Sequence, residues 1–199
     1  MDWNGSSASV PRQARPARVR VTARPVKIVV LGPIGVGKTT MVHTLSEIAP
    51  LGTDEPLTRP GERVDRLEGR PFKHTTTVAL DFGRLTLDRD LVLYLFGAPG
   101  QPRFAPVIAS LLGGAVGAVV LVDTAQLDEA FPFLDLLEAR HIPYCVGVNV
   151  FPGHPLFPAD EIRQALALAD RTPLVHIDAR RRDAVRALTT LVRSILEAR

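Results

Sequence analysis

Apolar residues fall along the chain in two alternating rhythms. Val26, Ile28, Val29, Val30 and Leu31 form a nearly continuous β-branched and aliphatic run, and similar runs recur at 115–122, 143–150 and 174–177. Runs that are continuous rather than alternating are what strands buried on both faces require. Between them come helical stripes: Met41, Val42, Leu45 and Ile48, then Phe104, Val107, Ile108, Leu111 and Leu112, then Leu127, Ala130, Phe131, Leu134 and Leu137. Two more helices are expected at 158–168 and 182–197. Thr75 to Leu87 alternates in part and reads as a strand, which a turn at Asp88, Arg89 and Asp90 returns through Leu91–Phe96 as an antiparallel hairpin. Strands that alternate with helices in this way predict an α/β fold. Its sheet is mostly parallel and six-stranded, with one antiparallel edge hairpin and helices on both faces.

Two stretches break the rhythm. From 51 to 75 the chain turns polar and carries Pro56, Pro60, Gly61, Gly69 and Pro71. A loop of that length inside a compact domain is usually functional. Residues 1–24 are rich in Arg, Pro, Ser and Ala without apolar periodicity, and are expected to form a disordered basic leader before one domain at 25–199.

Composition fits a single globular domain, with 46% hydrophobic and 23% charged residues in 199. The pI near 9.5 would by itself suggest a polyanionic partner. The excess, however, lies in Arg12, Arg15, Arg18, Arg20, Arg24 and Lys27, set against Asp2 alone, and the rest of the chain is net acidic. No nucleic-acid partner is therefore expected, and at most a peripheral contact of the leader with anionic lipid. The leader has no apolar core of a secretory signal, and no uncharged apolar run reaches the roughly 18 residues of a membrane span. Cys145, the sole cysteine, lies in an apolar run and fits an inert thiol in a reducing compartment. The expected location is the cytoplasm, with the inner membrane face as the limit of peripheral contact.

The chemistry is concentrated where the first strand ends. Gly32, Gly35 and Gly37 with Lys38 and Thr39 satisfy G-x-x-x-x-G-K-[ST] between a strand and a helix. In such a loop, backbone N–H groups wrap an anion, the lysine reaches the β- and γ-phosphates, and the hydroxyl ligates Mg²⁺. The helix that follows adds its positive dipole end. Val36 and Thr40 complete the expected nucleotide-contacting set. The histidines show no metal-ligand spacing.

With this loop and two later segments, the chain resembles the small Ras-like GTPases over about residues 25–199. Within them it is most similar to the bacterial branch near the gliding-motility GTPase MglA, above all the ATP/GTP-binding proteins of actinobacterial conservons. The resemblance makes Thr77 the first-switch threonine that closes on Mg²⁺ and the γ-phosphate. Leu95-Phe-Gly-Ala-Pro-Gly-Gln-Pro-Arg-Phe104 corresponds to the second switch, with Gly100 meeting the γ-phosphate and Gln101 orienting the attacking water. Gly97 stands where an aspartate supporting the metal is usual, which implies weakened support. Asn149 and Ala179 match the base-binding motifs, but Val150 and Pro152 replace the lysine and the guanine-reading aspartate. Arg66 and Arg70 lie in the first switch loop, and neither can be assigned as an arginine finger.

The resemblance implies a GTP-binding molecular switch of a bacterial signalling system that uses GTP/GDP and Mg²⁺ and hydrolyses GTP slowly. Its implied partner is a Roadblock-type regulatory protein and, through it, a sensor kinase. The alternative is a non-hydrolysing nucleotide-binding scaffold with relaxed base specificity, and a small P-loop kinase or other ATPase is a third reading. Because Pro152 offers neither carboxylate nor backbone donor, GTP is expected to be preferred over ATP by less than about 1000-fold, or about 4 kcal/mol. Parallel titrations of GDP, GTP, ADP and ATP measure that ratio.

Overall fold

The computed structural model describes residues 24–49, 51–52, 80–88 and 91–197. Seven strands make one sheet: β1 (Arg24–Leu31), β2 (Leu51–Gly52), β3 (Asp81–Asp88), β4 (Leu91–Gly97), β5 (Gly117–Val122), β6 (Tyr144–Asn149) and β7 (Leu174–Ile177). Their spatial order is β2-β3-β4-β1-β5-β6-β7. β4, β1, β5, β6 and β7 are mutually parallel, and β3 runs antiparallel to β4. This is the expected six-stranded mixed sheet, extended at one edge by the two-residue β2, which pairs with β3. The helices are α1 (Lys38–Leu45), α2 (Ala105–Leu111), α3 (Phe131–Glu138), α4 (Ala159–Ala165) and α5 (Val185–Glu197). No helix of the described residues is long and apolar enough to cross a membrane.

The continuous apolar run of β1 is explained by two cores. Ile28 and Val30 point to one face, where Met41, Val42 and Leu45 of α1 and Leu188 and Leu191 of α5 cover them. Val29 and Leu31 point to the other, among Ile108 of α2, Leu134 and Leu137 of α3 and Ile162 of α4. A strand sandwiched in this way has no position left for a polar residue. The phosphate-loop end of β1 is thereby fixed between two packed layers.

Two expectations at helix ends are corrected. The first helix stops at Leu45 rather than Ile48, because Ser46 is extended and Glu47 N donates to Arg84 O at 2.7 Å on the outer edge of β3. Ile48 is consequently exposed. Satisfying an open strand edge outweighs another half-turn of helix. The Glu47 carboxylate continues the same contact by accepting from Thr86 Oγ1 at 2.8 Å. In α3 the inward aromatic is Phe133 and not Phe131, which is exposed. A short 3₁₀ turn at Leu127–Ala130 precedes α3 and rotates the stripe. Of the expected strand from Thr75, residues 75–79 lie outside the described residues, as does the leader except for Arg24, which opens β1.

At the start of β5 the layers close on Gly117. A Cβ there would lie 2.9 Å from Pro143 O and 2.9 Å from Ile195 Cδ1, and that carbonyl already accepts Ala118 N at 2.9 Å. The carbonyl cannot retreat without losing its bond. Gly117→Ala is expected to destabilise the fold by about 1–3 kcal/mol through overpacking. The measurement is urea denaturation, with a lower midpoint and an unchanged slope.

Candidate functional site

The loop between β1 and α1 is a phosphate cradle held open by glycine. Gly32 has φ 137° and Gly37 has φ 100°, both in the region that side chains avoid. Space decides as well: a Cβ on Gly32 would meet Leu121 O at 2.4 Å, and one on Gly37 would meet Asn149 Nδ2 at 2.7 Å. Gly37 caps α1 without a side-chain bond, which leaves first-turn N–H groups facing the loop.

Asn149, buried at the end of β6, fastens this cradle to its neighbours. Its Nδ2 donates to Val36 O at 3.0 Å, and its Oδ1 accepts Ala179 N at 2.9 Å. Three loops are joined by one amide. Val36 and Ala179 are themselves buried. Val150 N donates to Ile177 O at 2.8 Å, so the ends of β6 and β7 open side by side.

Lys38 Nζ donates to Gly32 O at 2.8 Å and Pro33 O at 2.6 Å. Burial pulls its pKa down to about 8, opposed by the charge of Asp81. An anion in the cradle would favour the charged form and draw the value back up. The lysine is thus placed and primed to receive negative charge.

The metal side holds a residue that motif reading misses. Thr39 Oγ1 donates to Asp81 Oδ2 at 2.6 Å, and His43 Nε2 lies 3.5 Å from Asp81 Oδ1. Asp81 and Gly97 are directly paired across β3 and β4. A Cβ on Gly97 would fall 2.9 Å from Asp81 Oδ2, so the glycine leaves room for the carboxylate reaching over from the next strand. The aspartate missing at position 97 thus has a counterpart in space: a carboxylate stands beside Thr39, supplied by β3. A hydroxyl next to a carboxylate suits Mg²⁺, which binds hard oxygens and completes its shell with phosphate and water. Thr39 and Asp81 are the residues that would hold it. No group of three or more His, Cys, Asp or Glu among the described residues offers another metal set. The sequence signal was available as a lone aspartate in the apolar run Val78-Ala-Leu-Asp-Phe82.

Gly100 packs on the cradle itself, since a Cβ there would meet Ile34 N at 2.7 Å and Lys38 Nζ at 2.8 Å. Gln101 follows at half-buried depth and accepts Phe104 N at 3.0 Å through its carbonyl. Gly32, Gly35, Val36, Gly37, Lys38, Thr39, Gly100, Asn149 and Ala179 thus fall at the carboxyl ends of the parallel strands, the usual ligand position in open α/β sheets, with Val36, Asn149 and Ala179 buried beneath the loop. Thr40 is exposed on the first turn of α1. Thr77, Arg66 and Arg70 lie outside the described residues.

Comparison with known proteins agrees with this geometry. Residues 30–198 match the family described as "conserved hypothetical ATP binding protein". Among solved structures, the G domain of the T. maritima FeoB iron transporter aligns with a TM-score of 0.57 at 18% sequence identity, covering 87% of this chain and 98% of that one. At that identity the likeness shows the fold, a G-domain-like P-loop arrangement. No curated protein matches the chain.

Asp81→Asn is expected to lower triphosphate affinity at least about tenfold with Mg²⁺ and to change it by less than about twofold in chelator. Fluorescent-nucleotide titration in both buffers checks it, and equal losses in the two would remove the metal assignment.

Proposed function

The chain belongs to the family described as conserved hypothetical ATP-binding proteins, and from that premise we propose that it is a nucleotide-operated switch. It holds GTP or GDP with Mg²⁺, hydrolyses GTP slowly, and changes its affinity for a partner as the loop after β4 moves. The observation that supports this reading is how closely the loop after β4 approaches the cradle at Gly100, where a Cβ would lie 2.7 Å from Ile34 N and 2.8 Å from Lys38 Nζ. A terminal phosphate reaching Lys38 would crowd the backbone at this point. A triphosphate displaces or reorders the loop and a diphosphate does not, which supplies the differential interaction a switch requires.

The roles of the chain's own groups follow from their placement. The cradle N–H groups and Lys38 bind phosphate oxygens, and burial of the lysine strengthens that attraction relative to water. Thr39 and Asp81 orient the metal side. Gln101, adjacent to Gly100, is the residue to which the small-GTPase resemblance gives the orienting of a water molecule. When bound, Mg²⁺ neutralises charge on the phosphate oxygens. Bond cleavage then yields diphosphate and inorganic phosphate, with water supplying the hydroxyl and the proton.

The family description speaks of ATP, whereas the small-GTPase resemblance implies guanine nucleotide. Val150 and Pro152 at the end of β6 support relaxed base choice. Gly97 and Pro152 support the second reading, a non-hydrolysing nucleotide-binding module. A Roadblock-type protein, coupling to a sensor kinase in a bacterial signalling system, is the partner proposed from the resemblance. A cytoplasmic setting is proposed with it.

Single-turnover phosphate release separates the two readings. The wild type is expected at or below the Ras-like intrinsic rate of roughly 10⁻⁴ to 10⁻³ s⁻¹, with Gln101→Leu slower still. Turnover of several per second by the wild type alone would refute a slow switch. Equal inactivity of both proteins, even with the partner added, would favour the non-hydrolysing module.

A further inference from the structure

The nucleotide position proposed above has a direction. Thr39, Asp81 and Gly100 lie on the side of the cradle facing β3 and β4. The remainder of a nucleotide therefore extends the opposite way, over Gly37 toward the ends of β6 and β7. Asn149 and Ala179 meet Gly37 there, a Cβ on Gly37 falling 3.2 Å from Ala179 Cβ. A base arriving at this point lies between residues 149–153 and 178–180.

Guanine presents two N–H donors on one edge, and a carboxylate is the group that tells it from adenine. The loop after β6 offers Val150, Phe151, Pro152 and Gly153, none with a side-chain acceptor. Across the crevice, the first residue after β7 is Asp178. Its Oδ1 accepts Arg180 N at 3.0 Å and Arg180 Nε at 2.8 Å, while Oδ2 accepts Arg180 Nη2 at 2.8 Å. A carboxylate has about four acceptor positions, so Oδ2 retains capacity for a further donor. The other nearby carboxylates are engaged elsewhere: Asp123 with Ala125 N and His154, Asp183 with Arg181 and Arg186.

We propose that Asp178 is the base-reading carboxylate of this chain, giving it a residual preference for guanine, and that Arg180 competes with the base for it. The hydrogen bonds from Arg180 hold the carboxyl down at about 2, so it is an ionised acceptor at any working pH. Arg180 is largely exposed, and an exposed ion pair of this kind opens at small cost. The base edge can therefore replace part of the guanidinium contact without a buried charge being stranded.

The inference rests on the nucleotide-binding reading, and one experiment distinguishes the two failures. Fluorescent GDP and ADP are titrated into the full chain, its Asp178→Asn variant and its Arg180→Ala variant, with thermal melting as the check on folding. Asparagine keeps an oxygen for the Arg180 N bond but puts a donor against the donors of guanine. Asp178→Asn is expected to bring the GDP-to-ADP affinity ratio to within about twofold of one and leave ADP binding unchanged, and Arg180→Ala to raise the ratio by about two- to fivefold, the range an exposed ion pair can withhold. A ratio that neither variant moves, or one that Arg180→Ala lowers, would overturn the assignment of Asp178. A wild type that binds neither nucleotide would instead overturn the proposed function.

Discussion

The site depends first on the buried amide of Asn149. It bonds to Val36 in the phosphate loop and to Ala179 after β7, and so joins segments that are distant in sequence. Without it, a buried carbonyl and a buried N–H would each lose a partner, at a cost on the order of 1–3 kcal/mol apiece. The amide also occupies the space beside Gly37, which is why that position tolerates no side chain. The cradle, the start of α1 and the turn after β7 are therefore tied to one another through a single side chain.

Against that fixed frame, charge is arranged with two opposite demands. Lys38 is buried enough to disfavour its own charge, and it relies on two carbonyls until an anion arrives. Asp81 is close enough to soften that penalty while holding Thr39 on the metal side. One carboxylate thus acts on both the buried lysine and the threonine hydroxyl of the loop. Its delivery from β3 makes the hairpin a part of the site and not merely an edge of the sheet.

Much of the fold is legible in the chain because burial on both faces leaves so plain a mark. The run at Val26–Leu31, the apolar strands of β5 and β6 and the stripe of α5 correspond to observed elements. The glycine loop is legible for a related reason, since steric exclusion at 32 and 37 restricts residue choice directly. Asp81 is not legible by motif: a lone aspartate in an apolar run marks the position, but its partners Thr39 and Gly97 are named only by the strand register. The end of α1 is obscured for the same kind of reason: what stops it is an open strand edge far along the chain and not a local breaker. Local rules read local causes, and these two causes are tertiary.

That strand edge has a consequence beyond the helix it shortens. Arg84 donates its N–H to Ser46 Oγ at 3.3 Å and gives its carbonyl to Glu47 N, while Leu51–Gly52 pairs with Asp81 and Phe82. The outward hydrogen-bonding groups of these residues are occupied from within the molecule, and a negative carboxylate sits beside Thr86. A foreign extended chain finds few free rungs there on which to add. The first turn beyond α1 acts as a selvedge on the sheet, guarding its hairpin side against templated fibre growth.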